Sequence, residues 1–260
     1  MIYQTAPNGV PYLQFESIPA NRVAHGVFTR HGGVSPAPWE SLNFSIKVGD
    51  SRERVRRFHA LGHEALGLNP ARMMDRYLLH TSRVWHVSED DLEVDAPEAD
   101  AAVTRTPLLS FVMTSADCQT MLAYDPVRHI LGAAHAGWRG TLNGIALSLV
   151  QAMKVEGSRA RDLRMALGPA IGPCCYEVGP EVAARALAWP GGEEWLQPGP
   201  RAREMLDLDA ANEALLRRAG VRHVERANLC TACRTDLFFS HRAERPVTGR
   251  FALVAALLTC

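Results

Sequence analysis

The sequence predicts an α+β fold with mixed β-sheets, and three observations support this. Short apolar segments bounded by turn residues are typical of strands, and segments with helical spacing lie between them. The alternation is imperfect, because several consecutive predicted strands precede the first predicted helix after residue 100. The composition, 47% hydrophobic and 22% charged among 260 residues, suits a globular protein. We therefore expect residues 1–260 to form a single α+β domain.

Five segments are predicted to be strands because each is short, rich in apolar residues and bounded by turn residues. Four segments have apolar residues at helical spacing, and Gly157 and Gly220 stand where two of these helices should end. The predicted strands cover residues 23–30, 76–87, 110–118, 130–137 and 162–168. The predicted helices cover residues 51–68, 141–157, 179–188 and 207–220.

The charge balance excludes several classes of partner. Basic and acidic residues number 28 each, so the formal net charge is zero and binding to nucleic acid or an anionic membrane is not indicated. The N-terminal residues lack a basic segment followed by an apolar one, and no apolar run approaches the roughly 18 residues that cross a bilayer. We expect a cytoplasmic protein that acts on small molecules; the sequence leaves the oligomeric state open.

Three residues with soft ligand atoms are predicted at or near the ends of apolar strands: His80, Cys118 and His135. Two imidazoles and a thiolate can hold Zn²⁺ with a fourth position left for water or substrate. The spacing alone is not specific. On the pattern alone, a buried cysteine and two hydrogen-bonded histidines are favoured, since free cysteine is among the most buried residue types.

Other cysteines and histidines give weaker indications. Cys230 and Cys233 form one CxxC, and a structural zinc site would need the adjacent Cys174 and Cys175 as its second pair, which is geometrically awkward. Residues 59 and 63 are histidines that share a face of the predicted helix over 51–68, but the glutamate of HExxH is missing. For these two histidines we expect an exposed, solvated helix face.

An acid and three arginines complete the candidate site. Asp117 precedes Cys118, and it reaches the same site as a proton carrier only if the strand ends or bulges there. Arg30, Arg139 and Arg250 stand beside glycines, which allow an anion to approach the backbone and the guanidinium closely. The alternative is that these are ordinary loop arginines. The sequence contains no GxGxxG and no Walker A motif, so a Rossmann or P-loop nucleotide site is not indicated.

Taken together, seven motifs resemble the YfiH family, also called the polyphenol oxidase or laccase-domain family, which is related to the LACC1/FAMIN purine nucleoside enzymes of animals. The resemblance runs from about residue 23 to the C-terminus, and HAGWRG with GPAIGPCCYEVG is its most specific part. The motifs are FTRHGGVS (28–35), SLNFSIKVGD (41–50), ADAAVT (99–104), SADC (115–118), HAGWRGT (135–141), GPAIGPCCYEVG (168–179) and CTACRTDLFFSHR with TGR (230–250).

The resemblance implies a single α+β domain of layered mixed sheets, and zinc held by His80, Cys118 and His135. It implies phosphorolysis of adenosine, inosine, guanosine and methylthioadenosine, and deamination of adenosine to inosine. Purine nucleosides and phosphate are then the expected small-molecule partners. For the chemistry we expect Asp117 and Cys118 at the reacting centre, Arg30 and Arg139 as anion clamps, and Asn43 among the substrate contacts.

Two departures from the family and two rival functions stay open. The family's QVHG is LLHT at residues 78–81, and an Asn–Arg pair in the helix after GD is Phe58–His59, which puts substrate contacts near that helix in doubt. A Cu²⁺-dependent polyphenol oxidase would use the same two histidines and cysteine with a weak axial methionine, for which Met113 or Met121 are candidates. A metal-free hydrolase would use Cys118 and His135 as nucleophile and base.

Overall fold

The computed structural model of the protein describes residues 1–74, 78–93, 97–244 and 247–259. Fifteen strands are present in the described ranges, and most of the longer ones lie in the central part of the chain. The strands are β1 Ile2–Thr5, β2 Pro11–Gln14, β3 Val23–Phe28, β4 Met73–Met74, β5 Val84–Val87, β6 Ala101–Thr104, β7 Ser110–Ser115, β8 Gln119–Asp125, β9 Ile130–Ala136, β10 Arg164–Leu167, β11 Glu177–Val178, β12 Leu196–Pro198, β13 Glu204–Leu206, β14 His223–Arg226 and β15 Phe251–Leu257.

Four of the five described α-helices lie where the sequence predicts them. The caps explain their limits: the Ser51 side chain accepts a hydrogen bond from the Arg54 N–H at the first helix, and Gly157 and Gly220 take positive φ angles, 100° and 94°, just after two helices. The helices are α1 Arg52–Ala65, α2 Trp138–Leu142, α3 Ile145–Val155, α4 Pro180–Leu187 and α5 Leu208–Arg218.

The strands of the described residues form two six-stranded sheets and a small third sheet. The first has the order β1-β2-β3-β15-β7-β4 and is antiparallel except for the β4–β7 pair. The second has the order β14-β10-β8-β9-β6-β5, with parallel pairs at both edges. The third, β11-β13-β12, is antiparallel. The prediction of an α+β fold with mixed sheets is confirmed.

The sheets stack as layers because side chains alternate along their strands. On β7, Phe111 and Met113 face the second sheet, whereas Val112 between them faces the opposite side, where Phe58 of α1 packs. On β8, Leu122 packs in the core between the two sheets, while its neighbours on the strand pack in the core with α3, α4 and α5. The order of layers is therefore α1, first sheet, second sheet, remaining helices.

The strand predictions need three corrections. Only Val84–Val87 of the predicted strand 76–87 is a strand; residues 78–83 form a loop, and residues 76 and 77 lie outside the described residues. The strand predicted over 110–118 ends at Ser115, because a turn at residues 116–118 separates β7 from β8. Neither β8 nor β15 is predicted, although each is fully buried and central in its sheet.

Candidate active site

The two histidines and the cysteine singled out in the sequence converge in the structure. Ligand atoms of His80, Cys118 and His135 all lie within 4.8 Å of one another, and the Cys118 Sγ is 3.8 Å from His80 Nε2. We call these three residues the His–Cys–His triad. His135 is part of β9 and Cys118 immediately precedes β8, its antiparallel neighbour, so the sheet register fixes their separation. His80 comes from the loop before β5 rather than from a strand end, which corrects the sequence prediction for this residue.

A buried carboxylate holds both histidines of the triad. Asp100 accepts hydrogen bonds from the backbone N–H groups of Leu79 at 3.2 Å, His80 at 3.0 Å and Thr81 at 2.6 Å. The Nδ1 of His135 donates to the same carboxylate at 3.0 Å. These bonds stabilise the positive φ of 60° at His80, and because Asp100 occupies Nδ1 of His135, Nε2 is the atom of this ring that would bind a metal. Asp100 stands in the ADAAVT motif, but nothing in the local sequence distinguishes it as a contact of the triad.

Close packing around Cys118 makes a glycine necessary in the HAGWRG motif. A Cβ added to Gly137 would lie 2.7 Å from the Cys118 Sγ and 2.8 Å from Cδ2 of His80. No side chain fits at that distance, so only glycine lets the turn after β9 pass this close to two triad members.

The charges of the triad are coupled. Burial opposes ionisation of Cys118, yet the charge of His135 and hydrogen bonds with His135 and His80 lower the pKa of its thiol to about 6. Burial likewise opposes charge on His135, but Cys118 and Asp100 raise the pKa of its imidazole to about 9. The thiolate is the form that ligates metals and attacks electrophiles, so the lowered pKa of Cys118 favours either role at neutral pH.

The triad lies on the wall of a cavity of about 1100 Å³. Aromatic side chains line part of it, namely Phe44, Trp138 and Tyr176. Its volume is at the upper end of the range for small-molecule sites, and apolar walls with few polar groups are typical of such sites. The donor set of the triad fits a catalytic zinc, because it supplies two nitrogens and a sulfur, and three protein ligands are typical of catalytic zinc sites.

The cavity has a strongly basic lining. Among the described residues that line it, Asp117 is the single acid. The basic side chains come from the 3₁₀ turn at Ile46–Val48, from α1, from α2 and from two C-terminal loops: Lys47, Arg52, Arg56, Arg139, Arg242 and Arg250. This imbalance favours an anionic ligand, although the chain as a whole carries no net charge.

One basic and one acidic group of the lining are held by specific contacts. Arg139 follows the triad histidine by four residues, and its guanidinium stacks at 4.3 Å on the ring of Trp138. Asp117 has a φ of 87° in the turn between β7 and β8, and its oxygens accept from Thr231 Oγ1 at 2.7 Å and from the Arg242 N–H at 2.6 Å. The strand therefore ends before Asp117, which was the condition for Asp117 to reach the site.

Two predicted substrate contacts have other partners. The guanidinium of Arg30 donates to Glu244 at 2.7 Å and to the Thr235 carbonyl at 2.8 Å, and it stacks on Phe239. Asn43 is fully buried and accepts from the Arg250 N–H at 2.9 Å, so it positions a residue of the cavity wall. The structure places neither Arg30 nor Asn43 on the cavity lining.

The histidines of α1 do not form an exposed pair, which corrects the prediction for that helix. His63 is fully buried, and its Nε2 lies 2.8 Å from Ser110 Oγ beneath the first sheet. Burial lowers the pKa of His63, as expected of a neutral core histidine. His59 lines the cavity with its Nε2 3.0 Å from the Phe44 carbonyl. Sequence periodicity alone could not separate the two histidines, because positions four apart on a helix are predicted to share one face.

Comparison with known proteins identifies the family. The sequence model described as multi-copper polyphenol oxidoreductase laccase matches residues 24–258. The chain belongs to this family. It is 33% identical over 262 residues to the purine nucleoside phosphorylase YlmD of Geobacillus stearothermophilus, covering 96% of this chain and 94% of the relative. It is 37% identical over 257 residues to the purine nucleoside phosphorylase of Deinococcus radiodurans, covering 97% and 95%.

Members of the laccase-like family also share the fold in three dimensions. The crystal structure of YfiH from Bacillus licheniformis superposes with a TM-score of 0.91 at 31% identity, covering 99% of each chain. The resemblance that the motifs indicate is therefore confirmed over nearly the whole chain. No described helix combines the length and the apolar character needed to cross a bilayer.

Proposed function

We propose that this protein is a zinc-dependent purine nucleoside phosphorylase, with residues 1–260 acting as one catalytic domain. The observation that carries the proposal is the meeting of a three-ligand His–Cys–His triad with a strongly basic cavity. The basic lining suits phosphorolysis, because one of its two substrates is the phosphate anion. The names of the two bacterial relatives, both purine nucleoside phosphorylases, support the same reaction.

In the proposed reaction a phosphate oxygen attacks C1′ of the ribose while the bond from C1′ to the purine nitrogen breaks. The bond's electron pair passes to the base, which then takes up a proton. Arg139 is the phosphate ligand we propose, because it lines the cavity next to the triad and its stacking on Trp138 fixes the guanidinium plane. Orienting the phosphate in this way removes much of the entropic barrier to attack.

Asp117 is the proton carrier we propose. It is the acid on the lining, and its neighbours Thr231 and Arg242 fix the orientation of its carboxylate. Tyr176 and Trp138 provide aromatic surfaces for the purine on the same cavity wall. A Zn²⁺ held by the triad would supply a Lewis acid and lower the pKa of a water ligand.

The cavity also suits the broader substrate set that the family resemblance implies. We propose phosphorolysis of adenosine, inosine, guanosine and methylthioadenosine, and hydrolytic deamination of adenosine to inosine at the same centre. The volume of about 1100 Å³ leaves room for all four nucleosides. Deamination consumes water rather than phosphate, so Arg139 should matter for phosphorolysis and much less for deamination.

Copper chemistry is the second candidate because the family description refers to it. Two histidines and a cysteine with an axial methionine form a blue-copper set. Met113 and Met121 are fully buried in two different cores, and neither is on the cavity lining. The structure therefore offers no support for either methionine as the axial ligand, and we rank zinc first. The metal-free hydrolase is the third candidate, and the lowered pKa of the Cys118 thiol supports it.

The test is incubation of the zinc-loaded protein with inosine or adenosine, with and without phosphate, followed by chromatography. We expect ribose 1-phosphate with hypoxanthine or adenine only when phosphate is present, and inosine from adenosine in both cases. If fully zinc-loaded protein yields none of these products, the purine proposal is wrong. Activity only after copper loading, with a strong blue absorption band, would favour the oxidase; full activity without metal would favour the hydrolase.

A further inference from the structure

A second group of soft ligands lies outside the triad. The Sγ atoms of Cys174, Cys175, Cys230 and Cys233 all lie within 4.8 Å of one another, and all four are free thiols. We call these residues the cysteine cluster. Cys174 and Cys233 are exposed, and the other two are half-buried, so the cluster is open to solvent. The proposed reaction uses none of them.

The geometry answers the objection that adjacent cysteines cannot share a ligand. The Cys233 Sγ is 3.5 Å from the Sγ of Cys174 and 3.4 Å from that of Cys175, so both neighbours in the chain point to the same place. Four sulfurs around a tetrahedral zinc, each about 2.3 Å from it, stand about 3.8 Å apart. The observed separations agree with this arrangement.

The backbone around the cluster is built to hold it. The N–H of Gly172 donates to the Cys230 Sγ at 3.2 Å, a contact that favours the thiolate and is typical of the surroundings of metal-bound cysteines. A Cβ at Gly172 would lie 3.3 Å from the Cys230 Cβ, so glycine permits the approach. The segments pair through an isolated parallel bridge between Ala170 and Cys230, and the Thr231 N–H donates to the Ala170 carbonyl at 3.0 Å.

We propose that the cysteine cluster binds one structural Zn²⁺ through four thiolates. Four protein ligands close the coordination sphere, which is typical of structural rather than catalytic zinc, and thiolates select zinc over magnesium or calcium. Each thiol that becomes a ligand releases its proton to the solvent. The metal would tie the turn at 172–176 to the segment at 230–234, which together support the cavity wall.

This position gives the metal a consequence for the cavity. Tyr176, next to Cys175, lines the cavity, and the Arg242 guanidinium donates to the Cys175 carbonyl at 3.3 Å and to the Glu177 carbonyl at 3.0 Å. The same Arg242 orients Asp117 through its backbone N–H. Cys175 of the cluster is therefore next to the lining residue Tyr176 in the chain and hydrogen-bonded to the lining residue Arg242. The cysteines themselves are not among the residues that line the cavity.

The test is zinc content by mass spectrometry of protein purified under reducing conditions, for the unsubstituted chain, Cys118→Ala and Cys233→Ser. We expect about two zinc ions per chain in the first and about one in each variant. Cys118→Ala removes the triad zinc only, so zinc retained in this variant reports the cluster separately from the proposed function. Zinc-free Cys118→Ala would overturn the cluster proposal, whatever the activity of the unsubstituted protein.

Two further measurements and one further variant keep the proposal testable if Cys233→Ser fails to fold. In Cys118→Ala, X-ray absorption at the zinc edge should show a first shell of sulfur alone, and the cluster thiols should react slowly with a thiol reagent until a chelator is added. Cys233→His keeps a zinc ligand and should retain the metal that Cys233→Ser loses. A nitrogen- or oxygen-dominated shell, immediate reaction of all cluster thiols, or a disulfide between the two segments in freshly purified reduced protein would each overturn the proposal.

Discussion

The His–Cys–His triad and the cysteine cluster are both groups of soft ligands, yet their surroundings differ in every respect that bears on function. The triad has three ligand residues, faces a basic cavity and is oriented by the buried carboxylate of Asp100. The cluster has four ligand residues, lies partly exposed on two loops and receives a backbone N–H instead of a carboxylate. A triad leaves a coordination position for chemistry, whereas four thiolates leave none.

The number of ligand residues and the rigidity of the structure that holds them therefore indicate the role of a metal site better than the type of ligand does. The triad residues come from a strand, from the residue just before a strand, and from a loop that three backbone hydrogen bonds attach to Asp100, a rigid arrangement suited to reactive geometry. The cluster residues come from two turns that an isolated bridge and backbone hydrogen bonds join, and a metal would add stability there. Altering the two groups should therefore affect different properties.

The largest effect is expected from removing a triad ligand. His80→Ala should lower kcat/KM for phosphorolysis on the order of 1000-fold, because a Lewis acid contributes several kcal/mol to transition-state stabilisation. The neighbouring Leu79→Ala, which removes an exposed side chain, is the matched control and should leave activity close to that of the unsubstituted protein. Steady-state kinetics with inosine measure both, and equal activity in the two variants would exclude the triad as the reaction centre.

The next effect concerns the carboxylate that orients the triad. Asp100→Asn keeps the size of the side chain but loses its charge, and should weaken zinc binding at the triad about 10- to 100-fold. Asp125→Asn is the control, because Asp125 is equally buried and accepts backbone N–H groups far from the cavity. Competition with a fluorescent zinc chelator gives both affinities. Similar zinc affinities in the two variants would show that Asp100 contributes only to folding.

A smaller effect is expected from the proposed phosphate ligand. Arg139→Ala should raise KM for phosphate about tenfold, the effect of losing a charge-assisted hydrogen bond of about 1.5 kcal/mol. Arg185→Ala tests whether stacking alone is responsible, because Arg185 also lies over Trp138, at 5.4 Å, without lining the cavity. Deamination of adenosine by Arg139→Ala should change little. A parallel loss of both reactions would assign Arg139 to the nucleoside instead of the phosphate.

Much of the fold and of the two ligand groups is predictable from the sequence, for physical reasons that differ between helices, strands and loops. Helices α1, α3, α4 and α5 are recognisable because one apolar face repeats and glycine or a capping side chain marks the ends. Strands β8 and β15 are not, because a strand buried on both faces has no alternation, and FALVAAL contains residues that also favour helices. His80 could be named as a ligand, but its place in a loop depends on Asp100, 20 residues away.

The roles of charged side chains were the hardest part to predict. Arg30 and Arg139 both stand beside glycines, and only tertiary contacts show that Arg30 pairs with Glu244 while Arg139 lines the cavity. The cysteine cluster is the opposite case, because residues that look unsuitable in the sequence do meet in the structure. Its adjacent cysteines look unsuitable in sequence, and only the turn around Gly172 brings their sulfurs to one point. Local sequence gives the residue types of a site, whereas long-range packing decides which of them meet.

The most direct test of the division between reaction centre and structural site compares one cysteine from each group. Ribose 1-phosphate formation from inosine should be measured for folded Cys118→Ser and Cys233→Ser, each supplied with the same excess of zinc under identical conditions. We predict that Cys118→Ser loses turnover on the order of 1000-fold, while Cys233→Ser retains turnover within about tenfold of the unsubstituted protein and melts at a lower temperature. Retained turnover in Cys118→Ser, or equal loss in both variants, would contradict the assignment of the chemistry to the His–Cys–His triad.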